Sequence, residues 1–243
     1  EYYIDKETPY FKEYAKEFTD MPFLVRVEDI NGTVQPGRFL NAKDLGRQEE
    51  GSDFQMVLID DTTNEIVVPN GTMGDRHTNP EKWNLRLENR DTGAKIDPRL
   101  SVFDQREEVT VVKLPYFGDE EHEGVIERAI PTITVQTADG PVKVTTVYDL
   151  ILANYGIDRG IGGEVAKAYT DDTPYTPTWQ EKITGVKAEI AIATAREFAD
   201  NAEKTKGRSM IIMGGGINHW YHADIIYRTI LNLIMFCGTE GVN

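Results

Sequence analysis

Apolar positions recur with a period of two over much of residues 19–147 and with a helical period beyond residue 147. Residues 1–18 read as a helical lead-in, with Thr8 as its cap, Pro9 at the first helical position and helical spacing from Tyr10 to Phe18. FLVRVEDINGTVQPGRFLNA (23–42) predicts two strands joined at Asn31-Gly32, a pair suited to a tight hairpin. QMVLID (55–60) and EIVVP (65–69) predict a second strand pair joined through residues 61–64. Residues 70–108 are rich in Gly, Asn, Asp, Pro and charge, and read as an irregular excursion with one short strand around 83–87. TVVKLPYF (110–117) is extended, and TITVQT (132–137) with VKVTTV (142–147) makes the clearest hairpin.

Beyond residue 147 the pattern predicts alternating helix and strand. VYDLILANYG (147–156) is a short amphipathic helix ended by Gly156, and residues 159–179 form a loop. KAEIAIATAREFADNAEKT (187–205) is a long helix. SMIIM (209–213) has the short, wholly apolar look of a buried parallel strand, and residues 219–238 predict a mostly buried helix. The expected fold is α/β: a β-rich insertion over 19–147, then a Rossmann-like three-layer portion with a parallel sheet over 148–243.

Composition narrows the function classes. The 243-residue chain carries a net charge of -15, which argues against a nucleic-acid partner and against an anionic membrane surface. No apolar run is long enough to span a bilayer, and the first residues have no signal-peptide pattern. The chain begins without Met and is expected to be an internal fragment of a longer protein. Its single cysteine, Cys237, excludes an internal disulfide or a cysteine-built cluster and reads as a buried thiol. His77, His122 and the acidic run 118–127 read as solvated.

The chemical content lies between Ser209 and Asn243. Gly214, Gly215 and Gly216 follow the apolar run, and a helix start follows them. Glycines allow close backbone approach, and free helix-start N–H groups attract phosphate or a similar anion. The spacing is not the dinucleotide fingerprint, because His219 stands where a third glycine belongs. A plain tight turn fits the same pattern and, on pattern alone, comes slightly first. Asn218, His219, Trp220, Tyr221 and His222 then cluster. Structural hydrogen-bonded histidines account for His219 and His222 better than metal ligation does, since no third ligand is evident. Donation to a polar heterocyclic cofactor is the remaining reading, and pattern does not choose between them.

ITGV (183–186), AREFADNAEKT (195–205), GRSMIIMGGGINHWYHADIIYR (207–228) and FCGTEG (236–241) resemble molybdenum enzymes carrying bis-molybdopterin guanine dinucleotide. FTDMPFLV (18–25), VPNGTMG (68–74), KWNL (82–85), LPYFGD (114–119), TTVYDLILANYGIDRG (145–160) and YTPTWQEKITGV (175–186) resemble, more finely, the catalytic (alpha) subunit of membrane-bound respiratory nitrate reductases. The resemblance implies reduction of nitrate to nitrite. Electrons would come from quinol through a membrane haem (gamma) subunit and an iron–sulfur (beta) subunit, at the cytoplasmic face of the membrane. It implies Gly214, Gly215, Gly216, Asn218, His219 and His222 as cofactor contacts. The family's [4Fe-4S] ligands and molybdenum-ligating Asp have no match in these residues. The fragment alone is therefore expected to be inactive, to hold no cofactor and to carry no catalytic residue of its own. The alternatives are a related selenate, chlorate or perchlorate reductase, or a non-catalytic interaction domain with a degenerate anion-binding turn.

Overall fold

The computed structural model describes residues 8–72, 86–116, 118 and 124–240. His77, His122, residues 119–123 of the acidic run 118–127, and residues 83–85 of the strand expected at 83–87 lie outside the described residues. Helix α1 (Pro9–Phe18) leads into strands β1 (Leu24–Ile30) and β2 (Thr33–Phe39), which form the expected hairpin with Asn31 and Gly32 both at positive φ. The short pair β3 (Leu58–Asp60) and β4 (Glu65–Val67) follows, then β5 (Pro69–Asn70) and β6 (Arg86–Asn89). Strands β7 (Glu108–Pro115), β8 (Val125–Thr137) and β9 (Gly140–Thr146) complete the main sheet.

That sheet has the order β2-β1-β9-β8-β7, and each neighbouring pair is antiparallel. Strand β8 is long enough to pair with β7 over its first half and with β9 over its second, so it turns the corner of a curled sheet whose edge strands β2 and β7 approach each other. Pro36 sits in edge strand β2, where a missing N–H is tolerated, beside a register shift between Val25 and Val27. The inward residues Leu24, Leu40, Val57, Val68, Val102, Val135 and Val144 form one core between the sheet and the 40–102 segments. A second cluster, Val112, Leu114, Tyr116, Ile126, Ile130 and Ala153, fills the far end of the curl.

Among the described residues, five helices of eight residues or more follow or flank the sheet: α1, α2 (Val147–Asn154), α3 (Pro177–Thr184), α4 (Ala188–Thr205) and α5 (Ala223–Phe236). Helix α3 falls at the end of what the sequence reads as loop; Thr176 caps it by accepting from Trp179 N, and Pro177 occupies its first turn. Thr8 does not cap α1 with its side chain; its backbone carbonyl accepts from Lys12 N instead. Phe11, Ala15, Met21, Ala199, Ala202 and Cys237 make a third core that joins α1, α4 and the end of α5.

The expected Rossmann-like parallel sheet is not formed by the described residues, whose main sheet is antiparallel throughout. Residues 209–213 run without ladder partners, and Met210 and Ile212 are 78% and 85% exposed. A strand needs neighbours for its backbone hydrogen bonds, and none of the described strands pairs with this segment. The final helix is also not buried as expected. No residue of α5 is buried, and Ile225, Ile226, Leu231 and Leu233 are exposed.

Candidate functional site

The segment from Gly207 to His222 is positioned by α4 behind it and α5 ahead. Lys206 and Gly207 both adopt left-handed φ and close α4, with Gly207 N donating to Ala202 O at 2.7 Å. Asn201 Nδ2 then donates to Arg208 O (3.2 Å) and to Ser209 Oγ (2.8 Å), pinning the start of the extended run to the helix. Past Met213 the chain makes a single helical turn, Gly215–Asn218, and breaks. His222 adopts φ 62° and serves as the N-cap residue of α5.

This break changes the predicted geometry. One helix starting at His219 would set His219 and His222 on the same face. The structure instead puts His219 at the end of the short turn and His222 at the start of the next helix, on opposite sides of a turn. His219 folds back so that its Nε2 lies 3.9 Å from where a Gly215 Cβ would be. Asn218 is held by Tyr227, whose hydroxyl meets Asn218 Oδ1 across the first turn of α5. The Tyr221 and His222 rings lie with centroids 4.0 Å apart.

All six candidate residues, Gly214, Gly215, Gly216, Asn218, His219 and His222, are exposed and brought onto one continuous surface segment. A Cβ at Gly214 or Gly216 would meet nothing within 4 Å, so the backbone there is open to close approach. The donor set fits a polar, anionic heterocycle held from one side: open backbone, one carboxamide and two imidazoles. Asp224 in the first turn of α5 uses part of the favourable helix-start field, so the histidines and the Gly-rich backbone carry more of any anion contact than the helix dipole does. Among the described residues no group of three or more His, Cys, Asp or Glu side chains could hold a metal ion.

Two buried polar arrangements escaped the sequence reading. Asp149, 1% exposed, accepts from Ser101 Oγ, Val102 N, Thr146 Oγ1 and Arg159 Nη1. Its capping signal, Thr146-x-x-Asp149, was present in the sequence, but the partners at 101 and 159 were not predictable from it. Arg128 is wholly buried in β8, with no local pattern that marks it.

No family model matches the chain. The nitrate reductase alpha chain of Bacillus subtilis is 47% identical over 243 residues, all of this chain and 20% of that protein. The respiratory nitrate reductase 1 alpha chain of Escherichia coli is 44% identical over 254 aligned residues, covering 99% of this chain and 20% of that protein. A more distant relative, the perchlorate reductase subunit alpha of Dechloromonas aromatica, is 30% identical over 241 residues, 99% of this chain and 20% of its own length. The chain thus spans about one fifth of the length of the relatives it matches.

Proposed function

The chain belongs to the nitrate reductase alpha-chain family, and from that premise we propose that it is a segment of a catalytic subunit that reduces nitrate to nitrite. The observation that carries the proposal is 47% identity sustained along the whole chain rather than confined to one motif. Perchlorate is the second substrate to weigh, because a perchlorate reductase subunit matches nearly the same length at 30%.

The cofactor in this reading is bis-molybdopterin guanine dinucleotide. When bound, it supplies the two-electron chemistry that removes one oxygen from nitrate. The residues of this chain bind and orient: Gly214, Gly215 and Gly216 allow backbone approach, Asn218 presents its amide, and His219 and His222 donate toward the pterin or its phosphate. Their exposure supports that role, since none is engaged in a core and the segment is open on one side.

The finer fold follows in the same reading. Residues 209–213 become a strand of a Rossmann-like parallel sheet whose other strands belong to the rest of the longer chain, and the apolar face of α5 is covered there. The β-rich portion 19–147 is an insertion beside the cofactor portion 148–243. Electrons arrive from quinol through a membrane haem (gamma) subunit and an iron–sulfur (beta) subunit, and through a [4Fe-4S] cluster whose ligands lie outside this chain. The complex sits at the cytoplasmic face of the membrane, held there by its partners; no described helix of this chain is long and apolar enough to cross a membrane.

The test is turnover of the full-length complex on nitrate, perchlorate, chlorate and selenate under one electron donor. A kcat/KM for nitrate at or above the others supports the reading. Preference for another oxyanion moves the assignment to that substrate, and absence of turnover on all four, with cofactor loaded, sinks it.

A further inference from the structure

Two Asn-Gly pairs occur in the sequence, Asn31-Gly32 and Asn70-Gly71, and the fold treats them differently. Asn31 and Gly32 form the two-residue loop between β1 and β2, with Ile30 paired to Thr33 and φ of 57° and 81° at the two loop positions. Both are exposed, and a Cβ at Gly32 would meet nothing within 4 Å. Asn70 instead pairs with Arg86 in the β5–β6 ladder and is half-buried, and Gly71 is buried. Asp29 of β1 turns its carboxylate to the loop: the Gly32 N–H donates to Asp29 Oδ1 at 2.7 Å.

An asparagine carboxamide followed by glycine is open to attack by the next backbone nitrogen, because no Cβ screens that nitrogen. The Gly32 nitrogen attacks only after its proton has left to hydroxide. The bond from Gly32 N to Asn31 Cγ then forms, the Cγ–Nδ2 bond breaks, and Nδ2 departs as ammonia with a proton from water. The product is a cyclic imide. Water opens it at Cγ to give aspartate, or at the main-chain carbonyl to give isoaspartate, whose main chain runs through Cβ and Cγ. Nothing is oxidised or reduced. Asp29 opposes the first step in two ways. Its oxygen holds the proton that must leave, and its carboxylate disfavours a second negative charge on the adjacent nitrogen.

We propose that Asn31 is a deamidation site of this protein and that Asp29 guards it: Asn31 converts when the hydrogen bond from Gly32 to Asp29 opens, while burial of Gly71 keeps Asn70 intact. Isoaspartate adds a carbon to the main chain of a two-residue loop, and that loop sets the β1–β2 register. Either product also places a new carboxylate beside Asp29. Strand β2 is an edge strand with β1 as its ladder neighbour, so the loosening falls on β2 rather than on the centre of the sheet. The site is separate from the Gly214–His222 segment and does not depend on the cofactor reading of it.

The test ages the full-length protein in mildly alkaline buffer and follows the amide-to-acid mass change at Asn31 and Asn70 by peptide mapping. In the folded protein, conversion is expected at Asn31 and not at Asn70. Asp29→Ala should speed conversion at Asn31 about fivefold to tenfold, the worth of one charge-assisted hydrogen bond at an exposed site. Asp29→Asn keeps an acceptor oxygen without the charge, and its rate should fall between; it also serves if Asp29→Ala does not fold. In denaturant the two sites, each followed by Gly-Thr, should convert at similar rates, and Asp29→Ala should lose most of its effect. Folded Asn70 converting as fast as Asn31, a folded Asn31 rate left unchanged by the Asp29 substitutions, or an equal acceleration in the denatured chain overturns the proposal.

Discussion

Arg159 reaches across the start of α2 to donate Nη1 to the buried carboxylate of Asp149 at 2.5 Å, and its Nη2 to Ser101 Oγ at 2.9 Å. Asp149 thereby ties three separate pieces of chain: the 101–103 turn, the N-terminus of α2 and the loop after α2. The carboxylate is 0% exposed and the arginine side chain 16%. Removing one member leaves the other buried and charged, which costs more than the pair contributes. Asp149→Ala and Arg159→Ala are each expected to destabilise the protein by about 3–5 kcal/mol, read as a lower midpoint in chemical denaturation. The double variant should lose clearly less than the sum, because it strands no charge. Additive losses would show that the pair is not coupled.

Two further buried carboxylates set an acid limit on stability. Burial raises the Asp44 carboxyl, but bonds from Arg38, the Asn41 N–H and the nearby Arg26 charge outweigh it and hold its pKa below the ordinary 3.8. Burial raises Asp60 as well, and the N–H groups of Asp97 and Thr62 with the Thr63 hydroxyl again lower it below 3.8. A folded pKa below the unfolded one gives stability that is fully present above the unfolded value. It falls away as pH drops from there through the folded value. Stability should therefore be flat in these two groups above about pH 5 and decline with acid below it. Asp44→Asn and Asp60→Asn should each lower stability at pH 7 and flatten the acid decline. An unchanged acid limb in both variants would show that these carboxylates do not set it.

The hairpins were legible because their information is local. Asn31-Gly32 fixes one turn, and alternation of Val, Ile and Thr fixes the faces of β8 and β9. The helix α4 was legible for the same reason. What failed was everything that depends on neighbours. Residues 209–213 have the composition of a buried strand, but composition cannot supply the strands that would pair with them. The apolar α5 was expected inside, and among the described residues nothing buries it. At the candidate site the residue types were legible, while the break between Asn218 and Ala223 was not. No proline marks that break; it lies in a left-handed His222. Asp149 shows the middle case, a capping signal visible locally whose buried role rests on Ser101, 48 residues away.

Gly238 closes α5 against α1, and its hydrogen atom is required there. Tyr10 Oη donates to Gly238 O at 2.6 Å, and Tyr14 Oη donates to Glu240 O at 3.0 Å. A Cβ at Gly238 would lie 3.0 Å from Tyr10 Cε1, Tyr10 Oη and Tyr14 Cγ, on a backbone at φ +59°. Crowding and left-handed strain add, so Gly238→Ala should cost roughly 2–4 kcal/mol. Gly93, at φ +70° with nothing within 4 Å of its Cβ position, isolates the backbone part. Gly93→Ala should cost about 1 kcal/mol. Thermal or urea unfolding of the two variants reads the difference; equal costs would remove the steric argument at Gly238.

His222 separates a binding role from a structural one. Its φ of 62° is unfavourable for a side chain with a Cβ, and glycine adopts that backbone freely. The side chain is exposed and makes no capping hydrogen bond. His222→Gly should therefore leave stability unchanged or raise it by about 0.5–1 kcal/mol. If His222 contacts the molybdenum cofactor, the same substitution in the full-length protein should lower the molybdenum content of the purified complex and its retention on dialysis. His219→Ala, also exposed, should behave alike on retention with less than about 0.5 kcal/mol change in stability. A structural histidine predicts the reverse order, a stability loss with molybdenum retained. Full retention in both variants, with stability unaffected, would place the cofactor contacts elsewhere on the segment, at the Gly214–Gly216 backbone and Asn218 alone.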